Sequence, residues 1–133
     1  MERMIFVNLP VRDLQESLAF YTGLGFTVNE QYSDENAACI VVSDTICVML
    51  LVHARFADFL VGTQITDART HTQVLNALTA SSRDEVDRFV ENAVAHGGKA
   101  RTPIREGGMY GHSVTDPDGH VWEIFHMADP TAN

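Results

Sequence analysis

The residue best suited to acid–base chemistry is a carboxylate that lies within an apolar run near the end of the chain. Strand alternation places Glu123 on one face and its neighbours Trp122 and Ile124 on the other. The next residues on the face of Glu123 are also apolar, and apolar surroundings disfavour a charged carboxyl group. Glu123 is therefore a candidate general acid or base. The alternative is a wet carboxylate or an ion pair with Arg101 or Arg105.

Other polar side chains occupy neighbouring strand positions. Tyr110 and His112 alternate on a strand, so both face one side, where a hydroxyl and an imidazole can orient a small polar ligand. Asn8 shares a strand face with Phe6 and offers both a donor and an acceptor. The plainer interpretation of His112 is a half-exposed histidine bonded to a neighbour, and that of Asn8 is a satisfied amide at a strand end.

The six histidines do not form a metal-binding pattern, because no His-x-His or His-x3-His pair occurs. His112 and His120 lie on opposite sides of a tight turn, and His126 lies on the strand face opposite Glu123. The others are expected in loops or at a helix end: His53, His71 and His96.

The composition is that of an acidic globular protein. The chain has 133 residues, 45% of them hydrophobic, and its 18 acidic and 9 basic side chains give a formal charge of −9. This field repels phosphate backbones and anionic headgroups, so neither nucleic acid nor a membrane is an expected partner. Cys39 and Cys47 lie in apolar runs, where thiols act as small hydrophobes, and no stretch is typical of a signal peptide or a membrane span. We therefore expect a cytoplasmic protein.

The elements that must position these residues appear in the same order twice. The first half contains five elements: a strand over 4–9, a helix from 12 to 23 or 25, and strands over 26–32, 37–42 and 46–52. The second half repeats them: a strand over 73–80, a helix from 82 to 97, and strands over 99–102, 110–115 and 120–126. Two βαβββ modules predict an α+β protein.

Alignment of the first half of the sequence with the second supports a duplication. Three correspondences define it: Asp13-Leu14 with Glu85-Val86 and Gly25 with Gly97, both at a separation of 72, and Asp44 with Asp118 at 74. We predict one domain over 1–133, with module one at about 1–53, a linker at about 54–71 and module two at about 72–128. The modules form curved mixed sheets that enclose a cup, with the helices outside, and such a cup is the default place for a ligand.

Several motifs resemble those of the vicinal-oxygen-chelate superfamily, which includes glyoxalases, bleomycin-resistance proteins and extradiol dioxygenases. Three segments resemble the opening of many superfamily members: LPVRDL at Leu9 to Leu14, SLAFY at Ser17 to Tyr21 and LGF at Leu24 to Phe26. DPDGH at Asp116 to His120, followed by WEI at Trp122 to Ile124, resembles their closing motif. The resemblance spans essentially the whole chain, and it implies a small-molecule ligand in the cup and a homodimer.

In metal-using members, the resemblance implies a divalent ion held by His and Glu side chains on the first and last strands of each half. The matching positions here are Phe6, Met49 and Leu78, with Asn76 as the substitute for Leu78 if the loop before the second helix is longer. Only Glu123 matches the metal pattern, and one carboxylate does not make a site with useful affinity. We therefore expect no metal and no other cofactor, with Phe6, Met49 and Leu78 as ligand contacts or simple core.

Three functions stay open. The first is a metal-free protein of the bleomycin-resistance kind that binds a small molecule, aromatic or cationic, in the cup. The second is a metal-dependent lyase or isomerase of the glyoxalase I type. The third is a metal-free enzyme that uses Glu123 as its acid or base.

Overall fold

A computed structural model describes residues 1–128 and divides the chain into two compact units, Met1–Asp67 and the part from Ala68 onward. Each unit contains one four-stranded mixed sheet whose strands and helix follow the order βαβββ. The predicted α+β class and the two βαβββ modules are therefore confirmed. Among the described residues, no helix has both the length and the apolar character needed to cross a membrane.

The elements of the first unit are β1 (Ile5–Val11), α1 (Leu14–Gly23), β2 (Thr27–Asn29), β3 (Ala37–Ser43), β4 (Ile46–Val52) and α2 (His53–Ala57). Its sheet has the strand order β1-β4-β3-β2, in which only β1 and β4 run parallel. Helix α1 begins after Asp13, whose carboxylate accepts hydrogen bonds from the amides of Gln15 and Glu16. These bonds satisfy amides that a helix start otherwise leaves without a partner.

The register of the strands gives the first sheet two distinct faces. One face, here the Asn8 face, carries Phe6 opposite Cys47 and Asn8 opposite Met49. The other face packs under α1 and holds the buried side chains of the core: Leu9, Val11, Ile40, Val48 and Leu50. Cys39 and Cys47 are free, buried thiols, as expected of small hydrophobes, and burial together with the neighbouring Cys47 raises the pKa of Cys39.

The elements of the second unit are β5 (Leu75–Thr79), α3 (Arg83–Ala95), β6 (Lys99–Ile104), β7 (Met109–Thr115) and β8 (Val121–Met127). Its sheet has the matching strand order β5-β8-β7-β6, again with one parallel pair, β5 and β8. Reciprocal hydrogen bonds between Glu85 and the two serines before the helix cap the start of α3. Ser82 Oγ accepts a hydrogen bond from the Glu85 amide at 3.1 Å, and the Glu85 carboxylate accepts from the amide and hydroxyl of Ser81 at 2.6 Å each.

The second sheet also has two faces. On the Glu123 face, Glu123 lies opposite Ala77 of β5 and Ser113 of β7. The α3 face carries Trp122 and Ile124, which are 2% and 3% exposed, and these contribute to the core beneath the helix. The predicted alternation of Glu123 with Trp122 and Ile124 is confirmed.

The repeat has two different separations around its helix, and this corrects the uniform separation of 72 that the sequence suggested. The residues that cap the helix starts are Asp13 and Ser82, a separation of 69. Helix α1 has 10 residues and α3 has 13, so the separation becomes 72 by Gly25 and Gly97, which both follow their helices at φ near +100°. Asp13 therefore corresponds to Ser82 and not to Glu85.

Some elements differ from their predicted bounds. Strand β2 stops at Asn29 because Glu30–Tyr32 form a 3-10 turn, with the Asn29 side chain accepting from the Gln31 amide. The predicted linker begins with helix α2, whose five residues include Phe56. Strand β6 extends to Ile104, beyond the predicted end at 102.

Candidate functional site

Three of the predicted ligand contacts, Phe6, Asn8 and Met49, lie together on the Asn8 face of the first sheet. Asn8 and Met49 are register partners on β1 and β4, and Phe6 is two residues from Asn8 on the same strand. The Asn8 amide nitrogen donates to the carbonyl oxygen of Phe6 at 3.1 Å. The Phe6 side chain is 47% exposed, so it is not a core residue.

Beside these residues, the first unit contains a cleft of about 300 Å³ lined by Asn8, Leu51, Phe56 and Phe59. Leu51 comes from β4 and Phe56 from α2, which contacts both β1 and β4. The walls therefore consist of two phenyl rings and an aliphatic side chain, with one amide. This combination of apolar walls and few polar groups is typical of small-molecule sites.

The Phe59 ring at this cleft is held by a charged pair from the same segment. The Arg55 guanidinium lies 4.4 Å from the ring centroid, and its Nη1 donates to Asp58 Oδ2 at 3.1 Å. Phe59 is nevertheless 62% exposed. An exposed ring held by a cation is an available surface on which an aromatic ligand can stack.

Glu123 is half-buried on its face of the second sheet. Its neighbour Ser113 uses its hydroxyl on the backbone of Thr102, accepting from the amide at 3.2 Å and donating to the carbonyl at 3.3 Å. Within the described part of the second unit, the Glu123 carboxylate has no hydrogen-bond partner and no ion pair. The alternative pairing with Arg105 is not formed, because that guanidinium donates to the carbonyls of Gly111 and Ile104 at 2.6 and 3.0 Å.

Tyr110 and His112 share one face of the second sheet, as their alternation predicted, and it is the face opposite to that of Glu123. They lie opposite His126 and Ile124 of β8, on the α3 face. The Tyr110 hydroxyl donates to Asp87 Oδ1 of α3 at 2.7 Å. This bond to a carboxylate raises the pKa of Tyr110.

Tyr110 is further fixed by two cations on the same side of the sheet. The Arg105 guanidinium lies 4.0 Å from the ring centroid and that of Arg83 5.0 Å. His112 is half-buried, and its Nδ1 lies 3.0 Å from the Ser113 carbonyl oxygen, as the plainer interpretation predicted. Tyr110 therefore connects β7 to α3, whereas the contact of His112 stays within β7.

Leu78 also lies on the α3 face, opposite Ile124, and the same holds for its substitute Asn76, opposite Trp122. The choice of Leu78 as the counterpart of Phe6 was therefore wrong. With the separation of 69 that applies before the helix, Phe6 corresponds to Leu75, which is 56% exposed. The pairing of Phe6 with Cys47 and of Leu75 with Val121 gives the same correspondence.

The corrected positions do not fit the divalent ion that the resemblance implies. Phe6 and Leu75 have no donor atom, Met49 has only a thioether, and Glu123 alone supplies oxygen. Hard or borderline ions such as Zn, Ni, Fe(II) and Mn need several nitrogen, oxygen or thiolate ligands. From Met1 to Ala128, no group of three or more His, Cys, Asp or Glu residues is arranged to hold a metal ion.

The chain matches the family model described as the glyoxalase/bleomycin resistance protein/dioxygenase superfamily over residues 3–124. The chain belongs to this superfamily. Among curated proteins, none matches the sequence significantly.

Several solved structures have a similar fold. A hypothetical protein from S. aureus is 27% identical, with a TM-score of 0.78 over 95% of this chain and 94% of that one. A superfamily enzyme from Burkholderia phytofirmans is 20% identical, with a TM-score of 0.77 over 96% and 100%. The bleomycin resistance determinant encoded on the transposon Tn5 is 19% identical, with a TM-score of 0.67 over 96% and 100%. The last two likenesses establish the fold alone.

The residues of the cleft that sequence reasoning missed are Leu51, Phe56 and Phe59. Phe56 and Phe59 fall in the predicted linker, although two phenylalanines three residues apart have the spacing of neighbours on a helix face. That spacing was the available signal. Nothing in the sequence indicated that α2 packs beside β1 and β4, because this contact depends on the tertiary fold.

Proposed function

We propose that this superfamily member binds a small organic molecule in the cleft of its first unit, without a divalent metal. The observation that carries the proposal is the cleft of Asn8, Leu51, Phe56 and Phe59, whose two rings and single amide suit a flat, largely apolar ligand. Its volume of about 300 Å³ corresponds to a small ligand site.

The amide of Asn8 supplies the polar contact of this site. Its nitrogen donates to the Phe6 carbonyl, which fixes the orientation of the group. Its carbonyl oxygen has no partner within the described residues of the first unit and accepts a hydrogen bond from the ligand. With a chain charge of −9, the long-range field favours neutral or cationic ligands over anionic ones.

The absence of a metal in this proposal rests on side-chain chemistry. The positions that the superfamily uses for ligands hold Phe6, Met49 and Leu75, and only Glu123 can bind a hard ion. Binding of the ligand therefore uses ring stacking, apolar contact and one hydrogen bond.

The test is a titration of the protein with neutral and cationic monocyclic aromatic compounds. The amide NMR signals of the first unit report the binding. The variant Phe59→Ala removes an exposed ring and leaves the core intact. It is expected to weaken binding by about fivefold or more, since a stacked ring contributes about 1 kcal/mol or more. The matched control Tyr32→Ala removes a ring that is also 62% exposed but lies outside the cleft. Equal affinity of the two variants contradicts the assignment of the cleft.

A second candidate function uses Glu123 as a metal-free acid or base. It is supported by the half-buried carboxylate that makes no bond within the described part of its unit. For any compound found to be turned over, Glu123→Gln keeps the size of the side chain and removes the proton transfer, so turnover is expected to fall about 100-fold or more. Unchanged turnover in this variant excludes the role.

We also infer that the protein pairs as a homodimer. The proposal is supported by exposed apolar side chains on strands at the edge of each sheet, Ile5 and Phe6 on β1 and Leu75 on β5. Sedimentation equilibrium of the wild type and of Ile5→Lys tests it. A dimer that the charged variant dissociates supports the inference, and a wild-type monomer at all concentrations contradicts it.

A further inference from the structure

Three sulfur-bearing side chains lie together on the Asn8 face of the first sheet. Cys47 and Met49 are two residues apart on β4, so both side chains leave the strand on the same side. Cys39 of β3 is the register partner of Met49 and shares that side. Both cysteines of the chain therefore belong to this cluster, which the proposed function does not use.

The two thiols of the cluster face each other. Cys39 and Cys47 are diagonal neighbours, because Cys47 pairs with Val41, which is two residues from Cys39 on β3. Burial raises the pKa of the Cys39 thiol, and the charge and the side-chain hydrogen bond of Cys47 raise it further. A hydrogen bond between the two side chains requires that both thiols turn into the same space.

The spacing of this pair suits a bridging metal ion better than a disulfide. Diagonal neighbours in a sheet have Cα atoms about 7–8 Å apart, whereas a disulfide needs Cα atoms within about 7 Å and sulfur atoms about 2 Å apart. Both cysteines are free thiols. A metal ion between two thiolates allows a sulfur–sulfur distance of up to about 4.6 Å, which is twice a metal–sulfur bond of about 2.3 Å.

The thiols are buried, but the side chains beside them are not. Cys39 is 1% exposed and Cys47 is 4% exposed. Met49 is half-buried, and Phe6, the register partner of Cys47, is 47% exposed. A small ion therefore approaches the thiols past Met49 and Phe6, from the Asn8 face.

We propose that Cys39, Cys47 and Met49 bind one Cu(I) ion, with the two thiolates as the main ligands and the thioether as the third. Thiolates and thioethers are soft ligands that select Cu(I), whereas structural zinc sites use four ligands. The ion replaces the thiol protons, which pass to the solvent. The chain charge of −9 favours the approach of a cation. This monovalent site differs from the divalent site of the superfamily in both its residues and its ion.

The experiment titrates the reduced full chain with Cu(I) in the absence of oxygen, in competition with a chromogenic Cu(I) chelator. We expect one Cu(I) per chain. Each of the variants Cys39→Ala and Cys47→Ala is expected to weaken binding by about 100-fold or more, since even the loss of an outer-shell partner of a metal ligand costs about 10–100-fold. Absence of binding by the wild type, or binding of two ions per chain, overturns the proposal.

The matched control Cys47→Ala/Thr22→Cys keeps two thiols per chain but moves one of them to an exposed position on α1, which packs on the other face of the sheet. It is expected to bind Cu(I) as weakly as Cys47→Ala alone. Wild-type affinity in this control means that the positions of the thiols do not matter, and it overturns the site. Met49→Leu keeps the volume of the side chain and is expected to weaken binding by about threefold or more. Unchanged affinity in this variant overturns the three-sulfur site.

X-ray absorption of the wild-type complex tests the ligand set without any substitution. Only sulfur neighbours of the copper ion are expected, and nitrogen or oxygen neighbours contradict the assignment. Binding of aromatic compounds in the presence of EDTA is a separate readout, so failure of the copper site is distinguishable from failure of the proposed function.

Discussion

Glu123 on β8 lies directly across from Ala77 on β5, and Leu75 is the next residue of β5 on the same face. This register, together with the three additional residues of α3, makes Leu75 the counterpart of Phe6. Two apolar side chains therefore occupy equivalent positions of the two first strands. Neither side chain has a donor atom for a metal ion, so Glu123 has no second metal ligand at these two positions.

A histidine at Leu75 should add a metal ligand beside Glu123 within the second unit. We expect Leu75→His to bind Zn or Ni at least about threefold more tightly than the wild type, because an imidazole then joins the Glu123 carboxylate on the same face of the sheet. The matched control is Val74→His, since Val74 is similarly exposed, at 59%, and is adjacent in sequence. Calorimetric titration measures both. Equal affinity of the two variants would show that Leu75 does not share the face of Glu123.

The capping of α3 should make stability depend on pH through Glu85. Hydrogen bonds from the Ser81 hydroxyl and amide lower the pKa of this carboxyl. Its contribution is thus fully present above the unfolded pKa of about 4.3 and is lost as pH falls through the folded value. At pH 7, Glu85→Ala is expected to reduce the free energy of unfolding by about 1 kcal/mol, a value kept small by solvent screening.

Urea unfolding at pH 7 and pH 3 measures this effect. The control Glu91→Ala changes an exposed glutamate of the same helix that does not cap it. The difference between the two variants should be smaller at pH 3 than at pH 7, because the contribution of the carboxylate declines below the unfolded pKa. A difference that persists unchanged in acid would contradict the role of the ionised carboxylate.

Tyr110 should ionise above its usual range. Its hydroxyl donates to Asp87, and this bond raises its pKa because the phenolate would face a carboxylate. The stabilisation is fully present below the unfolded pKa of about 10 and is lost as pH rises through the folded value. Absorbance of the phenolate during alkaline titration should shift to lower pH in Asp87→Asn. Asp84→Asn, which neutralises an exposed carboxylate of the same helix turn, should leave the titration nearly unchanged, and an equal shift in both would refute the specific bond.

Alanine at Gly119 should destabilise the protein more than alanine at Gly25. Both glycines have φ near +100°, so each substitution costs about 1–2 kcal/mol from the left-handed backbone alone. Only at Gly119 would the new Cβ also meet the backbone of Ala68 and Arg69, whereas at Gly25 no atom lies within 4 Å. Thermal unfolding of the two variants compares them, and a larger loss at Gly25 would contradict the close packing at Gly119.

The fold could be predicted from the sequence because turn and capping residues mark the ends of its helices and strands. Gly25 and Gly97 end the two helices, and the DPDGH turn connects β7 and β8. Helix α2 was missed because its five residues have no side-chain cap and too little length for a helical period. Its existence depends on packing beside β1 and β4.

The candidate site was predicted only in part, because alternation says which residues share a face but not which face that is. Tyr110 and His112 do share one, but it is the face of α3. Counting across the turn from the pair Thr115 and Val121 places Ser113, and not His112, opposite Glu123. Leu78 was misplaced for a related reason, since a shift of three residues moves a side chain to the other face of a strand.

The most direct test of the central claim is an amide NMR titration of the untagged protein in excess EDTA with neutral and cationic aromatic compounds. We predict saturable shifts at Asn8, Leu51 and Phe56 without metal, and no change in affinity when Zn, Ni or Mn replaces the chelator. Binding that appears only after one of these ions is added, or shifts that leave the cleft unaffected, would contradict a metal-free aromatic site in the first unit.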